Sequence, residues 1–523
     1  MKERVVRRAM SGIVKEHVSK KQRVQRKGFF CAMLLLFFFW IVIASIFRGD
    51  KQGDAQEKDS KYEQREIQKG EQAMQKLPNE IRVLIRTSSY EGLYHDSLEI
   101  QGDTEVVFDD GREERCIPCG EVIRLQKGDA MFGEGDTIIR IYTKTEDGRL
   151  TVKNLLRSQG IPSYKGRMEI REKEEGLVLV NVLPLEDYLC GVLPSEMPSN
   201  FPEEALKAQA ICARTYAYGK LKDAGYPDLG VDLDDSTAFQ VYGNLAEQES
   251  CTNAVRATRG LVLVDERGNL MDTFYYSTSC GRGTDVTAWQ GNAGTSLGMS
   301  KGKKISRTAM QTMLKNADNR KVDKKEAEDK KEAEDKKEAE DKKEKLEDAD
   351  FLLLEDSDDY ESDLPWYRWT YEVERIENNE MANRIQHVLN SEEEFLFQSI
   401  SAMSITRRGV GGVALELKII TDQGEYTIQG EHAIREVLCD GRTEVVQRDG
   451  TRFVCSSLLP SAFFLMETSA TGENVIGYSL NGGGLGHGIG MSQNAAGVMA
   501  KEGHNAEEIL AFFYEGGRLY DIR

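Results

Sequence analysis

The chain has 523 residues and a formal net charge of −19, which is enough length for a large core and one to three domains. Residues 1–27 hold ten Lys and Arg against two Glu, so this tail carries +8 and the remainder carries −27. Because such an acidic bulk is repelled by phosphates, the composition argues against a nucleic-acid-binding protein.

A candidate membrane segment follows the basic tail. Residues 28–47 contain no charged side chain, and a run of this length can cross a bilayer. The basic residues on its N-terminal side predict that the tail 1–27 stays in the cytoplasm and that the bulk lies outside. A cleaved export signal with a long tail is the alternative. Both interpretations place the bulk outside the cytoplasm, and the first predicts a single-pass protein of the cell membrane.

The rest of the chain predicts an α+β fold of mixed strands with a few helices, after a solvated linker over 48–79. Strand-type runs occur at 81–86, 104–108, 137–142, 177–182, 260–264, 272–277 and 365–373, and at 412–420 and 424–428, which flank a hairpin turn. Helices are predicted over 184–192, over 203–216 and from a capping-box-like Asn505 to Tyr514.

A long charged insertion interrupts this pattern. Residues 323–346 repeat Asp-Lys-Lys-Glu-Ala-Glu with a period of six and no apolar stripe, and the acidic run 355–363 extends the repeat. Such a charge run is expected to be a solvated helix or a disordered loop. We therefore expect the insertion 298–364 to contribute little chemistry, so that the domain 80–523 has its core motifs in 165–297 and 365–523.

One carboxylate lies in an unusual stretch of backbone. Glu196 is surrounded by three prolines, which fix their own φ and bias the preceding residues towards extended geometry. The sequence therefore predicts a stiff, non-helical turn at Glu196, with Ser199 or Asn200 as a cap of the next helix. A carboxyl held beside apolar Met197 and Phe201 suits a general acid. The alternative is a solvated turn residue.

A glycine-rich run at 481–493 is the second candidate site. His487 lies there between Gly486 and Gly488, and glycine lets the backbone approach a ligand closely. The run lacks the Gly-Lys-Ser/Thr of a phosphate-binding loop and does not match a dinucleotide fingerprint, so nucleotide binding is not predicted. A substrate-lining loop and a structural tight turn both remain open.

The long predicted helix carries three more candidates. Gln209 and Tyr216 are seven residues apart and share a face, whereas Arg214 lies on another part of the helix. For Arg214, a structural ion pair and a substrate contact both remain open.

These motifs resemble the SpoIID/LytB family. The likeness is carried by residues 183–198, 204–217 and 484–493, and by Gly503 and the segment 508–514. It covers about 165–523 without the insertion.

The resemblance implies a lytic transglycosylase that acts on the glycan strands of peptidoglycan, with stem peptides already removed, during engulfment in sporulating bacteria. The family's catalytic acid falls on Glu196. The other residues expected to bind substrate are Gln209, Arg214, Tyr216, His487, Ser492 and Gln493. Glycoside hydrolysis generally uses two carboxyl groups, but a lytic transglycosylase closes the ring through the sugar's own 6-hydroxyl. One carboxyl with a raised pKa can then serve as acid and afterwards as base.

The chain departs from the family pattern at two positions. Leu485 stands where the family usually has Trp, and Asn494 stands where it usually has a second Trp. Some similar proteins bind zinc near the segment that contains Cys280, but here Asp285 is the only acid close by and no His is near. One thiolate and one carboxylate are too few for a closed site, so no metal or other cofactor is predicted.

A second function stays open beside the enzyme. LytB-type relatives are described as modifiers of amidases, so the chain could bind peptidoglycan without cleaving it and activate an amidase partner. Both functions need a glycan-binding groove, but only the enzyme needs a protonated Glu196.

Overall fold

The computed structural model describes residues 78–133, 137–243, 245–290, 302–322, 349–353 and 356–523, together with Gly70. The chain divides into two units, Met1–Gly70 and Glu71–Arg523, and the second contains all the features below. Across the described ranges, no helix has both the length and the apolar character needed to cross a bilayer. The expected tail 1–27, membrane segment 28–47 and charged repeat 323–346 lie outside those ranges.

Strands form most of the described fold. In chain order they are β1 (Glu80–Leu84), β2 (Ser97–Gly102), β3 (Val106–Asp109), β4 (Glu114–Ile117), β5 (Val122–Gln126), β6 (Ile138–Thr143), β7 (Leu150–Val152), β8 (Ser163–Tyr164), β9 (Arg167–Lys173), β10 (Gly176–Pro184), β11 (Leu233–Asp234), β12 (Leu261–Val264), β13 (Tyr275–Tyr276), β14 (Trp369–Val373), β15 (Ile400–Arg408), β16 (Ala414–Thr421), β17 (Gly424–Gln429), β18 (Glu444–Gln447), β19 (Arg452–Val454), β20 (Phe464–Thr471), β21 (Asn474–Gly482), β22 (Met491–Ser492) and β23 (Arg518–Asp521).

The helices lie between and after these strands. They are α1 (Leu185–Glu196), α2 (Glu203–Lys222), α3 (Glu249–Ala257), α4 (Thr287–Gln290), α5 (Arg307–Val322), α6 (Asn378–Val388), α7 (Glu431–Leu438), α8 (Gln493–Lys501) and α9 (Ala506–Phe513).

The strands pair into separate sheets. A seven-stranded sheet has the order β11-β1-β10-β9-β6-β3-β4, and a four-stranded sheet has the order β5-β2-β7-β8. The strands β14 to β21 form an eight-stranded sheet of order β17-β16-β15-β21-β14-β18-β19, in which β20 also pairs with β21. Two short pairs, β12-β23 and β13-β22, connect distant parts of the chain. The parallel β13-β22 pair brings Tyr275 beside Met491 and Tyr276 beside Ser492.

Two apolar cores hold these layers together. In the first core, alanines along α2, including Ala208 and Ala213, are fully buried, because small side chains let α1, α3, α8 and α9 pack closely around this helix. The second core belongs to the eight-stranded sheet, where β14 alternates buried and exposed residues. Tyr275 packs on the first core, while Phe274 and Trp289 pack on the second. The segment after α3 therefore lies where the two cores meet.

Several local predictions are confirmed. Strands β16 and β17 form the expected antiparallel hairpin, with Thr421 paired to Gly424. Asn505 and Glu508 form a complete capping box at the start of α9, which satisfies two backbone donors at that helix end.

The prediction for the backbone at Glu196 is wrong. Helix α1 continues through Pro194 and ends at Glu196, and only Met197 is extended, with φ −135° and ψ 127°. A proline in the last turn removes a single helical N–H, which one turn at a helix end can tolerate. The predicted side-chain cap of α2 is also wrong, since this helix begins at Glu203 without one.

The expectation that the whole acidic run 355–363 is solvated is wrong, and part of the surrounding insertion is buried. Ile305 and Met310 are buried in the first core, and α5 lies within the stretch. Asp359 and Glu361, which belong to the acidic run, are 4% and 1% exposed. A charge run is normally a solvated face, but these two carboxyl groups have buried hydrogen-bond partners, and Glu361 joins the site described below.

Candidate active site

Glu196 is a half-buried carboxyl group at the C-terminal end of α1. The backbone N–H of Val241 donates to its Oε1 at 2.6 Å, and no described group donates to its Oε2. Burial raises the pKa of Glu196 to about 7, although the Val241 hydrogen bond acts in the opposite direction. Such a carboxyl is largely protonated just below neutral pH and can donate that proton to a bound molecule.

Two tyrosines interact electrostatically with this carboxyl group. Burial raises the pKa of Tyr216 and of Tyr275, and the negative charge of Glu196 raises both further. Gln240 donates to the Tyr275 hydroxyl at 3.1 Å and accepts from the Tyr188 hydroxyl at 3.2 Å. Tyr216, a predicted substrate-binding residue on α2, is half-buried, so part of its side chain is accessible.

Two glutamines hold the backbone at Glu196. Gln493 Nε2 donates to the carbonyl oxygen of Glu196 at 3.0 Å and to Gln209 Oε1 at 3.4 Å. Gln209 is 0% exposed and Gln493 is 8% exposed. Gln493 therefore positions the backbone of the acid, and Gln209 supports Gln493. A contact of Gln209 with substrate stays a prediction.

Arg214 takes part in a structural ion pair, one of the two alternatives that the sequence left open. Its guanidinium is fully buried and forms a two-point ion pair with Glu186, with Nε to Oε1 at 2.8 Å and Nη2 to Oε2 at 2.9 Å. The remaining N–H groups donate to the carbonyl oxygens of Leu261 and Val255. These hydrogen bonds match the planar arrangement of N–H donors on a guanidinium group. The structure therefore shows the ion pair.

Ser492 is buried at the N-terminus of α8, and its predicted contact with substrate stays a prediction. Its exposed fraction is 0%, and its hydroxyl donates to Glu361 Oε1 at 2.7 Å while accepting from the Ala495 N–H. Glu361 also accepts from the N–H of Ser279 at 3.0 Å and from the Ser279 hydroxyl. Burial raises the pKa of Glu361 to about 7, against these hydrogen bonds. Sequence reasoning missed Glu361 because the surrounding acids hide it in an ordinary charge run.

His487 is a neutral, half-buried ring. Its Nδ1 accepts from the N–H of Ile489 at 3.0 Å. Burial and the charge of Arg435 lower the pKa of His487 to about 4, against a hydrogen bond with the backbone of Tyr275. The ring is therefore uncharged at neutral pH and lines the site without acting as an acid.

The glycines of the loop serve close packing. Gly486 has φ +113°, and a Cβ there would lie 2.8 Å from the Cβ of Tyr276. Glycine alone combines this backbone conformation with so close an approach. The Tyr276 ring packs 5.7 Å from the His487 ring. The loop is therefore both a tight turn and a wall of the site, which unites the two interpretations that the sequence left open.

The two family departures have local structural roles. Leu485 pairs with Thr278 in an antiparallel bridge. The side-chain amide of Asn494 donates to the carbonyl oxygen of Ser277 at 3.1 Å and to the Thr278 hydroxyl at 3.0 Å. These contacts tie the start of α8 to the segment after β13.

The surroundings of Cys280 do not fit a zinc site. Its thiol is buried, and burial raises its pKa to about 12. No group of three or more His, Cys, Asp or Glu within the described residues is arranged to hold a metal ion.

The comparison with known families agrees with this geometry. A family model described as "Stage II sporulation protein", SpoIID, matches residues 173–264, which contain α1, Glu196 and α2. This segment is therefore similar to the SpoIID/LytB family, as the sequence motifs predict. A second model, described as "Domain of unknown function (DUF8618)", matches residues 318–490 and covers the eight-stranded sheet.

Three similar proteins illustrate the relationship. An uncharacterized protein of Brachyspira hyodysenteriae is 42% identical over 124 residues, which are 23% of this chain and 33% of that protein. The amidase enhancer of Bacillus subtilis is 25% identical over 340 residues, which are 63% of this chain and 40% of the enhancer. Stage II sporulation protein D of Bacillus amyloliquefaciens is 36% identical over 124 residues, which are 21% of this chain and 36% of that protein. The chain thus spans between 33% and 40% of the length of these relatives.

Proposed function

We propose that the protein is a membrane-anchored lytic transglycosylase that cleaves the glycan strands of peptidoglycan outside the cytoplasm. The observation that carries the proposal is Glu196, a half-exposed carboxyl whose pKa burial raises to about 7. The supporting relationship is to stage II sporulation protein D. Peptide-free strands, of the kind expected during engulfment, are the proposed substrate.

The proposed reaction needs one carboxyl group. Glu196 donates its proton to the bridging oxygen, the bond from that oxygen to the anomeric carbon breaks, and the leaving sugar departs with a hydroxyl group. The Glu196 carboxylate then accepts the proton of the 6-hydroxyl on the remaining sugar, whose oxygen bonds to the anomeric carbon. Water is not consumed, the acid is regenerated, and the product ends in a 1,6-anhydro sugar. In this reaction the proton is carried by Glu196 Oε2, because none of the described groups donates a hydrogen bond to that oxygen.

The test is product analysis with a matched variant. Full-length protein in detergent is incubated with peptide-free glycan strands, and mass spectrometry distinguishes 1,6-anhydro ends from hydrolysed ends. Glu196→Gln is expected to abolish the anhydro product with an unchanged circular dichroism spectrum. Glu203→Gln is the control, because Glu203 is an exposed acid on the adjacent helix that pairs with Lys207. Full cleavage by Glu196→Gln would refute the assignment of the acid.

A second candidate function is activation of an amidase. The identity of 25% to the amidase enhancer of B. subtilis extends over 63% of this chain, well beyond the segment around Glu196. If the protein stimulates an amidase on intact cell-wall sacculi and Glu196→Gln stimulates it equally, the binding role is correct and the cleavage role is not. If stimulation requires Glu196, cleavage of strands precedes the action of the amidase.

A further inference from the structure

Aromatic rings from four segments form a continuous row beside Glu196. The centroids of Tyr216 and Phe274 are 6.0 Å apart, those of Phe274 and Trp289 are 4.6 Å apart, and those of Trp289 and His487 are 5.3 Å apart. These four rings, which we call the aromatic row, are all half-buried. A contiguous line of partly exposed rings on a protein surface commonly marks a binding site.

The rings of the row do not lie flat. The Trp289 ring stands at 86° to the Phe274 ring and at 65° to the His487 ring. Successive rings that meet nearly at right angles form an angular trough, in which one ring offers its face and its neighbours offer their edges. A pyranose ring fits such a trough, because its C–H faces pack on an aromatic face while its hydroxyl groups point sideways.

Trp289 contributes a half-buried indole to this trough. At the Tyr216 end of the row, the Lys220 ammonium lies 5.3 Å from the centroid of the Tyr216 ring. Part of the space beside that ring is therefore already filled. The indole N–H of Trp289 meets no acceptor among the described residues. A half-buried indole usually finds such a partner when no ligand is involved, so this donor is free for a sugar hydroxyl.

The backbone of α4 holds Trp289 in place. Asp285 accepts from the N–H of Thr287 at 3.0 Å at the start of this short helix. The helix end is pressed against Gly430, where a Cβ would lie 2.8 Å from the carbonyl oxygen of Trp289. The ring is therefore positioned by packing on the second core rather than by an exposed loop.

The row begins at the acid. Burial and the negative charge of Glu196 both raise the pKa of Tyr216. From Tyr216 the row continues through Phe274 to Trp289. His487 is uncharged at neutral pH and adds no positive charge at its end of the row, whereas the Lys220 ammonium lies beside Tyr216 at the other end. A row that starts at the proposed proton donor and continues with uncharged rings suits a strand of sugars better than an anionic ligand.

We propose that Trp289 is a sugar-stacking residue, and that the aromatic row is the subsite that holds the glycan strand next to the bond cleaved at Glu196. This inference rests on the proposed function, and it names the residue that fixes the strand. Trp289 brings an indole against the glycine-rich loop at His487 from a different segment of the chain.

The experiment separates binding from cleavage. Full-length Glu196→Gln protein in detergent is titrated with peptide-free glycan oligosaccharides, and isothermal titration calorimetry gives the dissociation constant. Adding Trp289→Leu is expected to weaken binding about tenfold, as for the loss of one stacked ring. Trp289→Tyr should restore affinity to within about threefold, since a ring remains. Phe395→Leu is the matched control, because Phe395 is another half-buried ring, paired with Tyr426 at 5.0 Å on the second core.

The outcomes distinguish this inference from the proposed function. Unchanged affinity in Trp289→Leu, or an equal loss in Phe395→Leu, overturns the subsite. In the catalytically intact background, Trp289→Leu is expected to raise KM about tenfold with a smaller effect on kcat. If the oligosaccharides bind in a Trp289-dependent manner but the unmodified protein releases no anhydro product, the subsite stands and the proposed cleavage fails. If cleavage occurs and Trp289→Leu leaves KM unchanged, the cleavage stands and the subsite fails.

Discussion

Ser492 Oγ donates a 2.7 Å hydrogen bond to Glu361 Oε1, and this contact joins the N-terminus of α8 to the acidic run. The next residue, Gln493, holds the backbone of Glu196. Two carboxyl groups with pKa values raised by burial to about 7 are therefore linked through two consecutive residues. Glu196 is half-buried, and Glu361 is 1% exposed.

The buried carboxyl should make stability depend on pH. The pKa of Glu361 is about 7 in the folded protein against a reference of 4.5, so between these values the folded state binds the extra proton. Its favourable contribution is complete below pH 4.5 and is lost as the pH rises through 7. Glu361→Gln should reduce the loss of unfolding free energy between pH 5 and pH 8 by about 2 kcal/mol. Urea unfolding at each pH measures this.

Substitution by leucine provides the contrast. In Glu361→Gln the amide oxygen can still accept from Ser279 N–H and Ser492, and the amide N–H₂ can donate to the Ser279 hydroxyl. Glu361→Leu leaves these three donors buried without an acceptor and should cost about 2–4 kcal/mol at every pH. Equal stability of the two variants would show that the network does not hold α8.

Much of the fold follows from local patterns, but buried polar partners do not. The capping box at Asn505 and the hairpin after Thr421 depend on neighbouring residues, so sequence reasoning finds them. Glu361 looks like its acidic neighbours, and its burial depends on Ser279 and Ser492, which are distant in sequence. Rules that use only neighbouring residues in the sequence do not identify contacts between residues so far apart.

The candidate site divides in the same way. The chemistry of Glu196 was predictable, whereas its helical backbone was not, because packing of α1 outweighs the preference of the residue before Pro194. Trp289 belongs to no periodic hydrophobic pattern in the sequence. It lies beside Phe274 only because the chain folds so that the two cores meet there. Arg214 could be assigned to an ion pair only once Glu186 was seen opposite it.

The proposed acid predicts a pH limit on cleavage. Because Glu196 must begin protonated and its pKa is about 7, the initial rate of anhydro-product release should fall about tenfold for each pH unit well above 7. Rates measured between pH 6 and pH 9 on peptide-free strands check this. A rate that stays constant to pH 9 would contradict a carboxyl with this pKa as the proton donor.

Arg214 should affect stability rather than substrate affinity. Arg214→Met leaves Glu186 without its two-point partner and should cost about 3–5 kcal/mol in urea unfolding, as for a buried pair broken on one side. Combining it with Glu186→Gln should cost less than the sum of the single variants, because the two residues share one interaction. The KM of the folded fraction should stay unchanged, and a raised KM would restore the substrate-binding interpretation.

Gly490 should be irreplaceable for a steric reason. It has φ +80°, and a Cβ there would lie 1.9 Å from the carbonyl oxygen of Phe274, which already accepts from the N–H of Met491 and the hydroxyl of Tyr514. Gly490→Ala must therefore shift the β13-β22 pair as well as strain its own backbone, and we expect a loss of about 3 kcal/mol or more in unfolding free energy. Gly503→Ala is the control, since Gly503 has φ +96° with nothing within 4 Å of its Cβ position, and it should cost only about 1–2 kcal/mol. Equal losses in the two variants would show that backbone strain, and not the contact with Phe274, sets the requirement for glycine.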